Sequence, residues 1–105
     1  MKYSVTRLDS APRVPLALDG RIVYTSDRFE VVHLSLKPGE GMELHTMPFE
    51  VIFFVREGCG TLCFDDDEVK GSSGDCIHVE PGVRRGWRNS GRTDLEILVM
   101  KLLKK

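Results

Sequence analysis

No apolar run in this 105-residue chain approaches the ~18 residues that a membrane-spanning helix needs, so a helical membrane anchor is not expected. The first ten residues hold no apolar stretch of the kind found in a secretory signal, and the expected location is the cytoplasm. Cysteine is scarce: Cys59, Cys63 and Cys76 are an odd number without a C-x-x-C spacing. They read as reduced thiols rather than a disulfide framework. Neither sign of charge prevails, since 15 Lys+Arg against 16 Asp+Glu leave a formal net charge of −1. Binding to duplex nucleic acid runs on phosphate neutralisation by a basic face, so nucleic acid is not an expected partner. Internal repeats, low-complexity tracts and linkers are also missing. Residues 1–105 therefore read as one domain, long enough to bury about two-thirds of its unfolded surface.

What the chain does have is punctuation. Turn residues recur at short intervals: Pro12, Pro15, Asp19-Gly20, Lys37-Pro38-Gly39-Glu40-Gly41, Glu57-Gly58, Asp65-Asp66-Asp67, Gly71-Ser72-Ser73-Gly74-Asp75, Glu80-Pro81-Gly82 and Asn89-Ser90-Gly91. Between them lie short segments rich in Val, Ile, Leu and Phe, the pattern of an all-β sandwich or barrel, with about ten strands expected. Val32, Leu34 and Leu36 alternate with His33 and Ser35, as in a half-buried strand. Residues 51–55 form a continuous apolar run too short for a buried helix, and residues 61–64 and 76–79 alternate. Residues 95–103 fit either a strand or a helix face, with Ile97 and Val99 favouring strand. Residues 3–8 read as a possible edge strand, while Pro12 and Pro15 bar their surroundings from a central one. Residues 1–30 are thus N-terminal strands or an arm, and residues 38–91 carry the motifs.

From Pro38 to Asn89 the order of turns and strands resembles the cupin family, whose first motif reads G-x5-H-x-H-x3,4-E-x6-G and second G-x5-P-x-G-x2-H-x3-N. Gly39, His45 and Gly58 fall in register with the first motif; Gly74, Gly82 and Asn89 fall in register with the second. The resemblance implies a small antiparallel β-barrel of jelly-roll type, a double-stranded β-helix, and a homodimer. Cupins that hold a metal use two histidines and a glutamate from the first motif and a histidine from the second. Those positions here are His45, Met47, Val51 and Arg85. Val51 has no donor atom, and a guanidinium stays protonated and repels a cation. His45 alone remains as a candidate metal ligand, and no cofactor is expected. Glu50 lies one residue short of the glutamate position and, by strand parity, points away from the site.

By the same resemblance the barrel pocket is lined by His45, Met47, Val51, Phe53 and Arg85. Parity also puts Glu43 on the face of His45 and Met47, where its carboxylate could orient His45 as a base, or else sit solvated at the rim. Arg85, if buried, needs a partner: Glu43, Glu50 or an anionic ligand. The alternative is that Arg84, Arg85 and Arg88 form a solvated loop. Cys76 and His78 share a strand face, and one reading adds Cys63 from another strand to make a soft metal site. The competing reading takes the cysteines as small buried hydrophobes. His33 reads as structural, the Asp65–Asp67 tract as a solvated hairpin tip, and Lys101, Lys104 and Lys105 as a solvated tail. Phe49, Phe53, Phe54 and Trp87 read as core and rim packing.

Three functions follow as expectations. The first is a small cupin that binds a small, anionic organic molecule without the usual metal. The second is an enzyme, either a metal-free isomerase or lyase with His45 as base or a dioxygenase with atypical ligands. The third is a dimeric scaffold with a vestigial pocket. Fold alone does not choose among them.

Overall fold

The computed structural model describes residues 2–15 and 17–103, and among these every regular element except one short turn of 3-10 helix, Leu8–Ser10, is a β-strand. The strands are β1 (Asp19–Thr25), β2 (Phe29–Leu36), β3 (Glu50–Glu57), β4 (Cys59–Cys63), β5 (Glu68–Ser72), β6 (Cys76–Val79), β7 (Gly86–Arg88) and β8 (Leu95–Leu102). They form a five-stranded sheet in the order β1-β2-β8-β3-β6 and a three-stranded sheet in the order β5-β4-β7. Every strand pair is antiparallel.

Period-two alternation builds the core. On β2 the buried side chains include Val32, Leu34 and Leu36; on β3 they are Val51, Phe53 and Val55; on β8 they are Leu95, Ile97 and Val99. These meet Leu62 of β4 and Trp87 of β7 between the two sheets. A one-residue slip on any of these strands would turn its whole apolar set outward, so the alternation itself holds the register. Phe53 and Trp87 pack edge to face, with centroids 5.7 Å apart and an interplanar angle of 84°. Buried Asn89 fastens the segment after β7. Its Nδ2 donates to the carbonyls of Leu36 and Thr93, each at 2.8 Å, and its Oδ1 accepts from Gly91 N at 2.9 Å.

Several expectations need correction. Among the described residues the strands number eight rather than about ten, because Gly41, His45 and Arg13 make only single bridges, to Arg88, Arg85 and Arg21 respectively. Residues 3–8 form no strand; they are exposed and run into the short helical turn. Asp19-Gly20 opens β1 rather than turning. Residues 95–102 are the middle strand of the larger sheet, paired along their length with β2 and with β3. Burial on both sides of the ladder decides what the local pattern left open. Lys104 and Lys105, read as part of a solvated tail, lie outside the described residues. Lys101 is not part of a tail: it belongs to β8 and is half-buried.

Candidate functional site

A cavity of about 720 Å³ opens between the sheets at the end where β2 begins and β8 finishes. That size is ordinary for small-molecule sites, which run to roughly 300–1,000 Å³. Its floor is apolar, with Val32 and Leu34 from β2, Phe53 from β3, Trp87 from β7 and Val99 from β8. One wall is the segment Gly41–Met47, which leaves the regular sheet and lies against β7. The other side is lined by Val14, Pro15, Ala17 and Leu18 from the N-terminal segment.

Two close approaches fix these walls. A Cβ on Gly86 would lie 2.8 Å from the Met42 carbonyl oxygen and 2.9 Å from that of Glu43, so only glycine admits the 41–47 segment there. On the far side, a Cβ on Gly20 would lie 2.4 Å from Val14 Cγ2. Backbone bonds from Val14 N to Gly20 O (2.9 Å) and Ile22 N to Pro12 O (2.7 Å) clip the N-terminal segment along β1.

His45 and Arg85 come together at the first wall. Their backbones exchange two hydrogen bonds, His45 N to Arg85 O at 3.0 Å and Arg85 N to His45 O at 2.9 Å. Arg85 Nη1 donates a third, to the His45 carbonyl at 3.2 Å. The guanidinium also sits over the Phe53 ring, 5.9 Å from its centroid, within reach of a cation–π attraction. Arg85 is only 3% exposed, and desolvation lowers its pKa below the ordinary arginine value. No described carboxylate pairs with it. Its Nε and the Trp87 Nε1 are buried N–H donors without partners. Such orphans are uncommon in folded proteins and carry a desolvation cost.

His45, Met47, Phe53 and Arg85 all line this cavity. Val51 does not: it faces the interior but is 1% exposed, within the core against which Met47 and Phe49 pack. Glu43 lines the cavity at its exposed rim, yet its carboxylate does not orient His45; the His45 Nδ1 lies 3.1 Å from the Glu43 backbone oxygen instead. Leu44 lines the cavity as well, because the segment is not a strand and strict alternation fails. Glu50 is on the outer face of the larger sheet, where His78 Nε2 lies 2.7 Å from its Oε1. The three arginines separate: Arg84 pairs with Asp65 and Arg88 with Glu68, both exposed, while Arg85 is buried. The cysteines are not buried hydrophobes, since Cys59 and Cys76 are exposed and Cys63 is intermediate. Cys63 belongs to one sheet and Cys76 and His78 to the other. His33 is 6% exposed on the outer face and bonds to Glu96 at 3.0 Å, with Arg56 bridging to the same carboxylate.

Sequence reasoning missed, besides apolar lining residues, two charged ones, Glu30 and Lys101. They are cross-strand partners on β2 and β8, and their side chains pair at 3.4 Å with about a fifth of each exposed. The signal was available in parity. Glu30 is in phase with Val32, Leu34 and Leu36, and Lys101 with Leu95, Ile97 and Val99.

A two-sheet jelly roll with a cavity open at one end of the barrel defines a class, the double-stranded β-helix proteins. The family model for the cupin domain matches residues 32–101, and this chain belongs to the cupin family. No curated protein matches it in sequence. A predicted oxalate decarboxylase from Thermotoga maritima shares 20% identity over 96% of this chain and 100% of its own, with a TM-score of 0.85. An RmlC-like cupin family protein from Methanocaldococcus jannaschii shares 20% identity over 97% of this chain and 92% of its own, with a TM-score of 0.83. The polyketide cyclase RemF from Streptomyces resistomycificus shares 17% identity over 99% of this chain and 81% of its own, with a TM-score of 0.84. At these identities the likeness is one of fold.

The metal that many cupins hold does not fit these residues. Val51 has no donor atom, and the guanidinium of Arg85 brings a positive charge to the fourth position, bonded to the carbonyl of His45. Among the described residues no group of three or more His, Cys, Asp or Glu side chains is arranged to hold a cation. No described helix is long and apolar enough to cross a membrane.

Proposed function

We propose that this small cupin binds a small organic anion in its cavity, without a metal at the family's usual position. Arg85 makes the primary contact, and His45 adds a second when its ring is protonated on both nitrogens. The observation that carries this reading is a buried guanidinium lining an apolar cavity with no carboxylate among the described residues to pair with. A buried charge left unpaired is costly, and an anionic ligand supplies the missing partner. The three free thiols support a reducing compartment, the cytoplasm. Thermal melting tests the reading. Small carboxylates should raise the Tm of the wild type and not of Arg85→Ala, while nickel and manganese should raise neither. A nickel- or manganese-dependent rise that disappears in His45→Ala would overturn it.

A second reading, a metal-free isomerase or lyase, is favoured by the contact between His45 Nδ1 and the Glu43 carbonyl. Because a carbonyl oxygen only accepts, Nδ1 is the protonated nitrogen, which leaves Nε2 of the neutral ring as the basic one. The check is whether a bound 2-oxo acid exchanges its C3 protons, those next to the keto group, in D2O faster than with His45→Gln. Equal rates would remove the enzyme reading and leave the binding one.

We also propose that the chain pairs with a second copy. Support comes from the outer face of the larger sheet, where Phe29 and Leu102 are cross-strand partners and Tyr24 stacks on Phe29 at 5.3 Å. These three and Phe54 leave about two-fifths of their surface exposed. Sedimentation at micromolar concentration should give twice the chain mass, and a single-chain mass would exclude the pairing.

A further inference from the structure

We propose that the ligand is a monocarboxylate with an extended apolar body, and that Glu30 excludes dianions by holding Lys101. The inference rests on the anion-binding reading above and goes further by fixing the charge and shape of the ligand.

Charge comes first. Among the described residues four charged side chains line the cavity: Glu30, Glu43, Arg85 and Lys101. Lys101 Nζ is 3.4 Å from Glu30 Oε2, and Glu30 Oε1 accepts a further bond from Thr25 Oγ1 at 3.1 Å. The Glu30 carboxylate is therefore fixed from both sides and cancels the lysine. Glu43 adds a second negative charge at the rim. Among the described residues Arg85 is left as the one cavity cation without a carboxylate, which matches one negative charge on the ligand. A second negative charge would enter a low-dielectric site without a partner.

Shape comes second. The cavity of about 720 Å³ is far larger than a carboxylate group, and between Arg85 and the Glu30–Lys101 pair its floor is Val32, Leu34, Phe53, Trp87 and Val99. None of these offers a hydrogen-bond acceptor to a polyhydroxylated ligand, and each gains by contact with hydrocarbon. A sugar phosphate fails on both counts, whereas an alkyl or aryl carboxylate satisfies both.

Calorimetric titration of the full chain with acetate, hexanoate, octanoate, octanol, octyl phosphate and inorganic phosphate tests the inference. Affinity should rise about four-fold for each methylene that enters the cavity. Octanoate should bind at least ten-fold more tightly than octanol, and more tightly than octyl phosphate at a pH where the phosphate is a dianion. Glu30→Gln frees Lys101 and should reverse the order of octanoate and octyl phosphate; adding Lys101→Met to it should restore the original order. If inorganic phosphate or acetate binds as well as octanoate, the anion-binding reading stands and this inference fails. If octyl phosphate already prevails in the wild type, or Glu30→Gln leaves the order unchanged, the role given to Glu30 fails. If octanol equals octanoate, or no anion binds, both readings fall.

Discussion

Along β2 and β8 the inward-facing partners run Leu36 with Leu95, Leu34 with Ile97, Val32 with Val99, and finally Glu30 with Lys101. One end of the barrel is filled. Leu36, Leu95 and Ile97 have no exposed surface, and Val55 and Leu62 join them there. The other end is open, and the same two strands bring to it an ion pair, facing a buried arginine. A single alternation thus serves two purposes: apolar pairs close one end, and charged ones line the other. On the proposed reading, the stability of the domain and its choice of ligand are assigned to different stretches of the same strands.

That separation can be broken deliberately. The largest effect should come from the filled end. Leu36→Ala leaves a void among fully buried side chains and should cost about 2–5 kcal/mol in urea unfolding, with the carboxylate-induced rise in Tm retained. Gly86→Ala comes next, because its Cβ would meet two carbonyl oxygens of the cavity wall. A loss of about 1–3 kcal/mol is expected, by analogy with overpacking. Unlike the leucine change, it should also weaken octanoate binding. Arg85→Met reverses the sign: removing a desolvated, unpaired charge should stabilise the ligand-free protein by about 1 kcal/mol or more, while eliminating the response to carboxylates. Lys101→Met should shift stability by less than about 1 kcal/mol, as expected for a pair that is partly solvated. A large loss from Lys101→Met, or a destabilised Arg85→Met, would show that the open end supports the fold and would erase the contrast.

The apolar interior was more legible in sequence than the charged lining of the cavity. Val32, Leu34 and Leu36, the run 51–55 and residues 76–79 stood out by periodicity, and motif glycines set the turns between them. The pairing of His45 with Arg85 followed from motif spacing. The depth of Arg85 did not, since Arg84 and Arg88 are the same residue type in the same stretch and differ only in what packs above them. Glu30 and Lys101 were in phase with their strands but were passed over, because a charge beside a strand end reads as solvated until the opposite wall is known. Pro12 and Pro15 excluded a central strand without indicating that Val14 would return to fill the space left by Gly20. Val51 has the parity of a cavity residue, and only the packing of the neighbouring core decides that it is covered.

The clip of the N-terminal segment onto β1 has a consequence for how such a protein diversifies. Val14, Pro15, Ala17 and Leu18 line one side of the cavity, yet of these only Leu18 belongs to the buried core. Substitutions at Pro15 and Ala17, which are exposed and do not pack against that core, reshape the cavity while leaving the packed interior intact. A lineage can therefore reshape this cavity through a short stretch of chain that precedes its first strand, with the barrel held constant.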